Sequence, residues 1–276
     1  MSGILFVVAT PIGNLADASA RSIEVLREAD VIACEDTRTT RTLLARHGIA
    51  GPTMALHQHN EAAAAKKVLD LLRQGKNVAL VSDAGTPGFS DPGALLVEQA
   101  HRAGIRVSPV PGPNAAAAAF SAAGFAAARF VFAGFLPAAP AARRKALEEL
   151  ELPCPVILYE APHRVAEMLA DLAARFGPER EIVIARELTK KFEEVARMKL
   201  GEAQAWLRAA PHRLQGEFAL VLAAGEPRPA AHADAERTLD ALLETMAPSE
   251  AARLAARITG APRNALYARA IELGAK

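Results

Sequence analysis

Short apolar runs alternate with segments of helical spacing through the first half of the chain. Ile4–Val8 is an apolar run of strand length, and 19–29 carries Ile23, Val25 and Leu26 at helical spacing. Segments 31–33 and 53–57 predict further strands, and Glu61–Arg73 a helix. The run Val78–Val81 leads into a helix over 93–103, then a strand at 105–107 and a helix from Asn114. Strands alternating with helices predict a largely parallel α/β sheet.

The pattern changes between Gly124 and Ala142, where the chain turns rich in Ala, Pro and Gly around 134–137. Beyond it, strands are expected at 130–132, 155–159, 181–185 and 217–222, with Glu194–Lys199 pairing beside the third. Helices are expected at 145–150, 163–176 and 203–208. Short loops between these strands predict a mixed sheet. Three short helical patterns close the chain at 236–246, 249–259 and 262–273, with Ser249 as an expected N-cap. The expected architecture is two α/β domains, 1–124 and 125–226, and a helical tail over 227–276. The glycine turn between the last two helices has the rhythm of a helix-turn-helix.

Composition narrows the class. The 276 residues are 51% hydrophobic, ample for large cores. The two cysteines, Cys34 and Cys154, lie far apart, which argues against a disulfide framework or a cysteine zinc site and fits a reducing, cytoplasmic location. Ser2-Gly3 leads straight to a core strand, so no secretory signal is expected. The alanine-rich stretch 115–128 is short and ends at Arg129, unlike a spanning segment of about 20 strongly apolar residues. No membrane association is expected.

The net charge is only +1, yet its distribution is uneven. No acid lies between Glu98 and Glu148, where Arg143 and Arg144 stand, nor over 251–270, where Arg257 and Arg263 stand. Such intervals suit either ordinary solvated helix faces or local surfaces that neutralise phosphates.

Three glycine- and proline-rich loops follow candidate strands. They are A-T-P-I-G-N-L at 9–15, S-D-A-G-T-P-G-F-S-D-P-G at 82–93 and P-V-P-G-P-N-A at 109–115. Glycine and proline impose irregular backbone that lets main-chain groups approach a ligand. Open α/β sheets bind ligands beyond the carboxyl ends of their strands, so the three loops predict one shared rim. Neither G-x-x-x-x-G-K-[ST] nor G-x-G-x-x-G occurs.

These loops, taken in order with C-E-D-T-R (34–38), Y-E-A-P-H-R (159–164) and A-R-E-L-T-K (185–190), resemble the tetrapyrrole methylase superfamily. The likeness runs from about Ile4 to Ala224 and is closest to its ribosomal RNA branch. It implies an S-adenosylmethionine (SAM) enzyme that methylates a cytidine ribose 2′-hydroxyl in the decoding region of 16S ribosomal RNA, presented by the small subunit. It also implies a homodimer, with the cofactor cleft between the two α/β domains. By position it assigns Pro11, Gly13, Asp83, Ala84, Gly85, Thr86, Ser90, Asp91, Pro92 and Pro113 to the cofactor, with Leu136, Phe218 and Ala219 in its wall. Ser90 or Asp91 serves equally well on paper as a cap for the helix from residue 93.

The transfer needs alignment and removal of a hydroxyl proton. Glu160, Glu187 and Lys190 are the candidates for the proton, the lysine only if burial lowers its pKa. Arg38, Arg143, Arg144, Arg164, Lys190, Arg257 and Arg263 are the RNA candidates. The alternative for Glu160, Arg164, Arg186 and Glu187 is a structural ion-pair network. His57-Gln58-His59 has no metal-ligand spacing, and no metal is expected. Two other functions remain open: methylation of a tetrapyrrole precursor on the same fold, and a non-catalytic RNA-binding protein.

Overall fold

The computed structural model describes residues 2–57, 60–225 and 230–274. His59 and the expected start of the tail at 226–229 lie outside the described residues. The chain forms two compact units: Met1–Leu150 with Pro155–Ala223, and Glu151–Cys154 with Ala224–Lys276.

The first unit opens with five parallel strands: β1 (Ile4–Val8), β2 (Val31–Cys34), β3 (Thr53–Ala55), β4 (Val78–Val81) and β5 (Arg106–Val110). They lie in the order β3-β2-β4-β1-β5. The central strand β4 is buried throughout, as its unbroken apolar run requires. Helices α1 (Ala20–Glu28), α2 (Thr37–Arg46), α3 (Glu61–Arg73) and α4 (Ala94–Arg102) connect them. The amphipathic spacing of α3 buries Ala64, Ala65, Val68, Leu69 and Leu72. From β1 the chain crosses toward β2, whereas from β4 it crosses toward β5. Those opposite departures make a crevice beyond the ends of β1 and β4.

Helix α5 (Ala115–Ala123) starts on the Asn114 side chain, whose Oδ1 accepts from Ala117 N at 3.0 Å, and stops at Gly124 with φ +67°. Its small side chains let it pack closely on a second sheet, Ala116, Ala119 and Ala123 meeting Ile157, Val183, Ala185, Ala219 and Val221. That sheet holds β6 (Val131–Phe135), β7 (Val156–Glu160), β8 (Glu181–Arg186), β9 (Glu194–Lys199) and β10 (Phe218–Leu222), in the order β6-β7-β10-β8-β9. β6 and β7 are parallel and the remaining pairs antiparallel, a mixed sheet. Helices α6 (Pro140–Glu148), α7 (Val165–Phe176) and α8 (Leu200–Arg208) complete the unit. The two sheets fall on either side of Gly124, within one compact unit.

The second unit carries α9 (Ala230–Leu243), α10 (Pro248–Thr259) and α11 (Arg263–Gly274) around a core of its own, including Leu239, Ala251, Ala255 and Leu266. Ala247, not Ser249, occupies the N-cap of α10, because Pro248 takes the first helical position, where its missing N–H costs nothing. Among the described residues no helix is long and apolar enough to cross a membrane.

Candidate active site

The three glycine- and proline-rich loops meet. Thr10 and Gly85 form an antiparallel bridge that joins the β1 loop to the β4 loop. Thr86 Oγ1 donates to Pro113 O at 3.0 Å and ties the β4 loop to the β5 loop. Gly85 sits at φ +79°, and a Cβ there would stand 3.3 Å from Ile12. The Asp36 N–H donates to Asp83 Oδ1 at 2.9 Å, which adds the β2 loop to the same rim. Neither Ser90 nor Asp91 caps α4. Glu61 does so from α3, its Oε1 accepting from Gly93 N at 2.9 Å and from Leu95 N at 3.2 Å.

A pocket of about 350 Å³ opens between this rim and the second sheet. Ala84, Gly85, Thr86, Ser90 and Asp91 line it on one side, and Glu160, Phe218 and Ala219 on the other. Sequence reading missed Phe89, Asn114, Phe135, Tyr159 and Leu188, which also line it. Phe89, Asn114, Tyr159 and Leu188 stand inside motifs quoted above, which is the available signal; Phe135 lies outside them. Phe89 and Phe135 are 44% and 54% exposed, and the Phe135 and Tyr159 rings lie 5.6 Å apart edge to face. Such aromatic walls suit a planar ring.

The rim is acidic. Burial, then repulsion from Glu35, pushes the Asp91 carboxyl up to about 6. Burial, then Asp83, holds Glu35 above its ordinary value too. Carboxylates that repel one another favour a cationic ligand. SAM fits these features: a cation beside Asp91, backbone close at Gly85, and aromatic side chains for a purine.

Other expected cofactor residues support the wall from behind. Pro11 and Pro92 are buried, Pro113 lends its carbonyl to Thr86, and the Leu136 carbonyl accepts from Arg164 at 2.7 Å. Gly13 stands apart from the pocket, where a Cβ would collide with the Lys190 side chain.

The proton candidates separate. Glu160 is 2% exposed; its Oε1 accepts from Ala161 N at 2.8 Å and lies 3.2 Å from Arg164 Nε. Its Oε2 is buried with no hydrogen-bond partner. Lys190 Nζ lies 2.9 Å from Glu187 Oε1 and 2.7 Å from Glu217 Oε2. Burial works against the ammonium, but the two carboxylates outweigh it and raise the Lys190 pKa. A lysine base needs the opposite shift, so Lys190 is corrected from base to ion-pair partner. Burial works against the Glu187 carboxylate, but Lys190 and the Glu217 N–H together outweigh it and lower its pKa.

The RNA candidates divide in the same way. Arg143 is corrected: only 2% exposed, its Nε donates to Asp171 at 2.7 Å and its second nitrogen to Glu167 at 3.2 Å, leaving no face for a phosphate. Arg164 is largely engaged within the protein. Its guanidinium is held by Glu160 and the carbonyls of Leu136 and Pro137. Arg144 is exposed, and Arg38 is exposed but forked onto Asp36. Arg257 and Arg263 are exposed in the second unit. Among the described residues no cluster of His, Cys, Asp or Glu is placed to hold a metal ion.

The family of Tetrapyrrole (Corrin/Porphyrin) Methylases matches residues 5–204. The chain belongs to the tetrapyrrole methylase family. A second family, described as RsmI C-terminal HTH domain, matches residues 229–274. Within the tetrapyrrole methylases, this chain is 51% identical over 267 residues to the Ribosomal RNA small subunit methyltransferase I of Xylella fastidiosa, covering 96% of this chain and 98% of the relative. It is 48% identical over 275 residues to the protein of the same name from Pseudomonas aeruginosa, covering 98% of each. The uroporphyrin-III C-methyltransferase of Thermus thermophilus, solved with S-adenyl homocysteine, aligns with a TM-score of 0.55 at 18% identity, over 81% of this chain and 97% of that one. At that identity the likeness is one of fold.

Proposed function

We propose that this protein transfers the methyl group of SAM to a cytidine ribose 2′-hydroxyl in the decoding region of 16S ribosomal RNA. One observation carries the reading. A single pocket joins the stapled strand-end loops of the first sheet to the wall of the second, in a chain about half identical to relatives named as methyltransferases of small-subunit ribosomal RNA. SAM supplies an activated methyl on a sulfonium when bound. In this reading Gly85, Thr86 and Ala84 hold the cofactor through main-chain contacts, and Asp91 faces its positive charge. Phe135 and Tyr159 exclude water beside a planar ring. Glu160 is the pocket carboxylate of this reading that takes the hydroxyl proton, with Arg164 Nε 3.2 Å from its Oε1.

The same reading has the enzyme act in the cytoplasm, as a homodimer, on the assembled small subunit. Light scattering that returns a monomer mass across a wide concentration range removes the dimer. The reaction is tested with labelled SAM and three acceptors: undermodified small subunits, free 16S ribosomal RNA and a tetrapyrrole precursor. Label is expected in the RNA of the subunits. Label in the porphyrinoid, with none in RNA, overturns the reading.

A further inference from the structure

A second cleft, of about 900 Å³, lies beside the pocket, lined by the β1 loop, the end of α2 and the loop between β8 and β9. The two cavities share a wall. Ile12 and Leu188 line the pocket, and the next residues, Gly13 and Thr189, line the cleft. Glu217 lines the pocket and pairs with Lys190, which lines the cleft. The absence of a side chain at Gly13 is what lets Lys190 lie against the β1 loop.

The cleft is basic. Arg46, His47, Lys190 and Lys191 line it. Glu187 and Glu217 are taken up by Lys190, and Glu193 Oε2 accepts from Thr189 N. Among the described residues no carboxylate pairs with Arg46 or Lys191, and both are exposed. The sequence from Thr37 to Asn60 contains no Asp or Glu at all, so α2 brings no counter-charge. Two hydrogen-bonding atoms of the lining, His47 Nε2 and Thr189 Oγ1, are buried without a partner. Thr189 also holds φ +66°, a conformation that a β-branched residue resists and that gathers at ligand sites.

We propose that this cleft binds a phosphate of the RNA backbone next to the target ribose, through Arg46 and Lys191 with His47 and Thr189 as hydrogen-bonding partners. The inference rests on the RNA reading above and adds the subsite that seats the strand. Charge-assisted contacts from a guanidinium and an ammonium, joined by further hydrogen-bonding side chains, are what a phosphodiester calls for. The shared wall puts that phosphate beside the methyl-transfer pocket.

The test compares the full-length protein with the double variant Arg46→Ala/Lys191→Ala. The probes are a single-stranded RNA oligonucleotide of the decoding region and assembled small subunits. Each lost phosphate contact lowers the slope of log affinity against log salt by about 0.7 on a single strand. The double variant is expected to lose about 1.4 in slope and roughly tenfold or more in RNA affinity, with SAM binding by calorimetry unchanged. Unchanged RNA affinity and slope, in a variant that still binds SAM, overturn the inference alone. A wild-type protein that labels no RNA overturns the functional reading instead, and the salt slope still decides the cleft. Should the double variant melt early, Lys191→Ala alone carries the comparison with half the change in slope.

Discussion

Thr10 and Gly85 exchange both backbone hydrogen bonds: Thr10 N donates to Gly85 O at 2.8 Å, and Gly85 N donates to Thr10 O at 3.0 Å. This bridge fixes the β4 loop against the β1 loop at the crevice of the first sheet. It also holds Gly85 at φ +79°, which costs an L-residue about 1–2 kcal/mol and a β-branched one more. Gly85→Val is expected to weaken SAM binding at least tenfold while the protein stays folded. Calorimetry checks this. Unchanged affinity in a folded variant removes the loop from the cofactor site.

The Asp91 carboxyl, pushed up to about 6 by burial and then by Glu35, makes a pH prediction. Folding disfavours its ionised form. Its contribution to stability is therefore complete below the ordinary value of 3.8 and is lost as pH rises through about 6. A cationic ligand prefers the ionised form, so SAM affinity is expected to rise with pH through about 6. Asp91→Asn should flatten that rise, weaken binding at neutral pH and raise the melting temperature of the ligand-free protein. A variant with the wild-type pH profile shows that Asp91 does not face the cation.

Glu160 and Lys190 make opposite predictions. Glu160→Gln keeps the acceptor for the Ala161 N–H but removes the base. It should lower kcat by about 10²–10⁴-fold and leave SAM affinity nearly intact. Lys190→Ala breaks a partly buried pair with Glu187 and a solvent-screened one with Glu217, with an expected loss of about 1 kcal/mol in stability. Its kcat on subunits should fall far less than that of Glu160→Gln. The reverse order in single-turnover rates would move the base away from Glu160.

Arg143 and Arg144 are neighbours with different fates. Arg143→Ala empties a buried site and leaves Asp171 with only the more distant Arg144, and is expected to destabilise the fold by about 3 kcal/mol. Arg144→Ala removes an exposed side chain 3.7 Å from the same carboxylate and should cost about 1 kcal/mol or less. Denaturant titration of the two variants measures the difference. Equal, small losses would mean that the buried pair contributes little.

These contrasts mark what the sequence makes legible. The strand, loop and helix over 78–93 are plain because an unbroken apolar run, clustered glycines and a helical repeat follow one another. Helix α2 escapes notice because four threonines weaken its propensity and its apolar repeat is confined to Leu43 and Leu44. Its real signal is Asp36, whose side chain accepts from Arg38 N and caps the helix. The rim of the pocket follows from loop composition. The Glu61 cap on α4 does not, because its partners lie more than thirty residues downstream. Arg143 and Arg144 are indistinguishable in sequence. Only the packing of α6 on α7 decides which one is buried beside Asp171.

The tail makes the last prediction. Its core is built from its own alanines and leucines, including Leu239, Ala251, Ala255 and Leu266, while Arg253, Arg257, Arg263 and Arg269 stay exposed. A unit that buries small apolar residues and displays arginines suits a phosphate surface. Every residue of the pocket belongs to the first unit. Truncation before residue 234 is therefore expected to weaken subunit binding and flatten its salt dependence, with SAM affinity almost unchanged. The exposed pair Arg257→Ala/Arg263→Ala should reproduce part of that flattening without disturbing the tail core. If truncation abolishes SAM binding or unfolds the first unit, the tail is structural. If affinity and salt slope both stay as they were, the tail does not touch RNA, and Arg38, Arg46, Arg144 and Lys191 carry the contact instead.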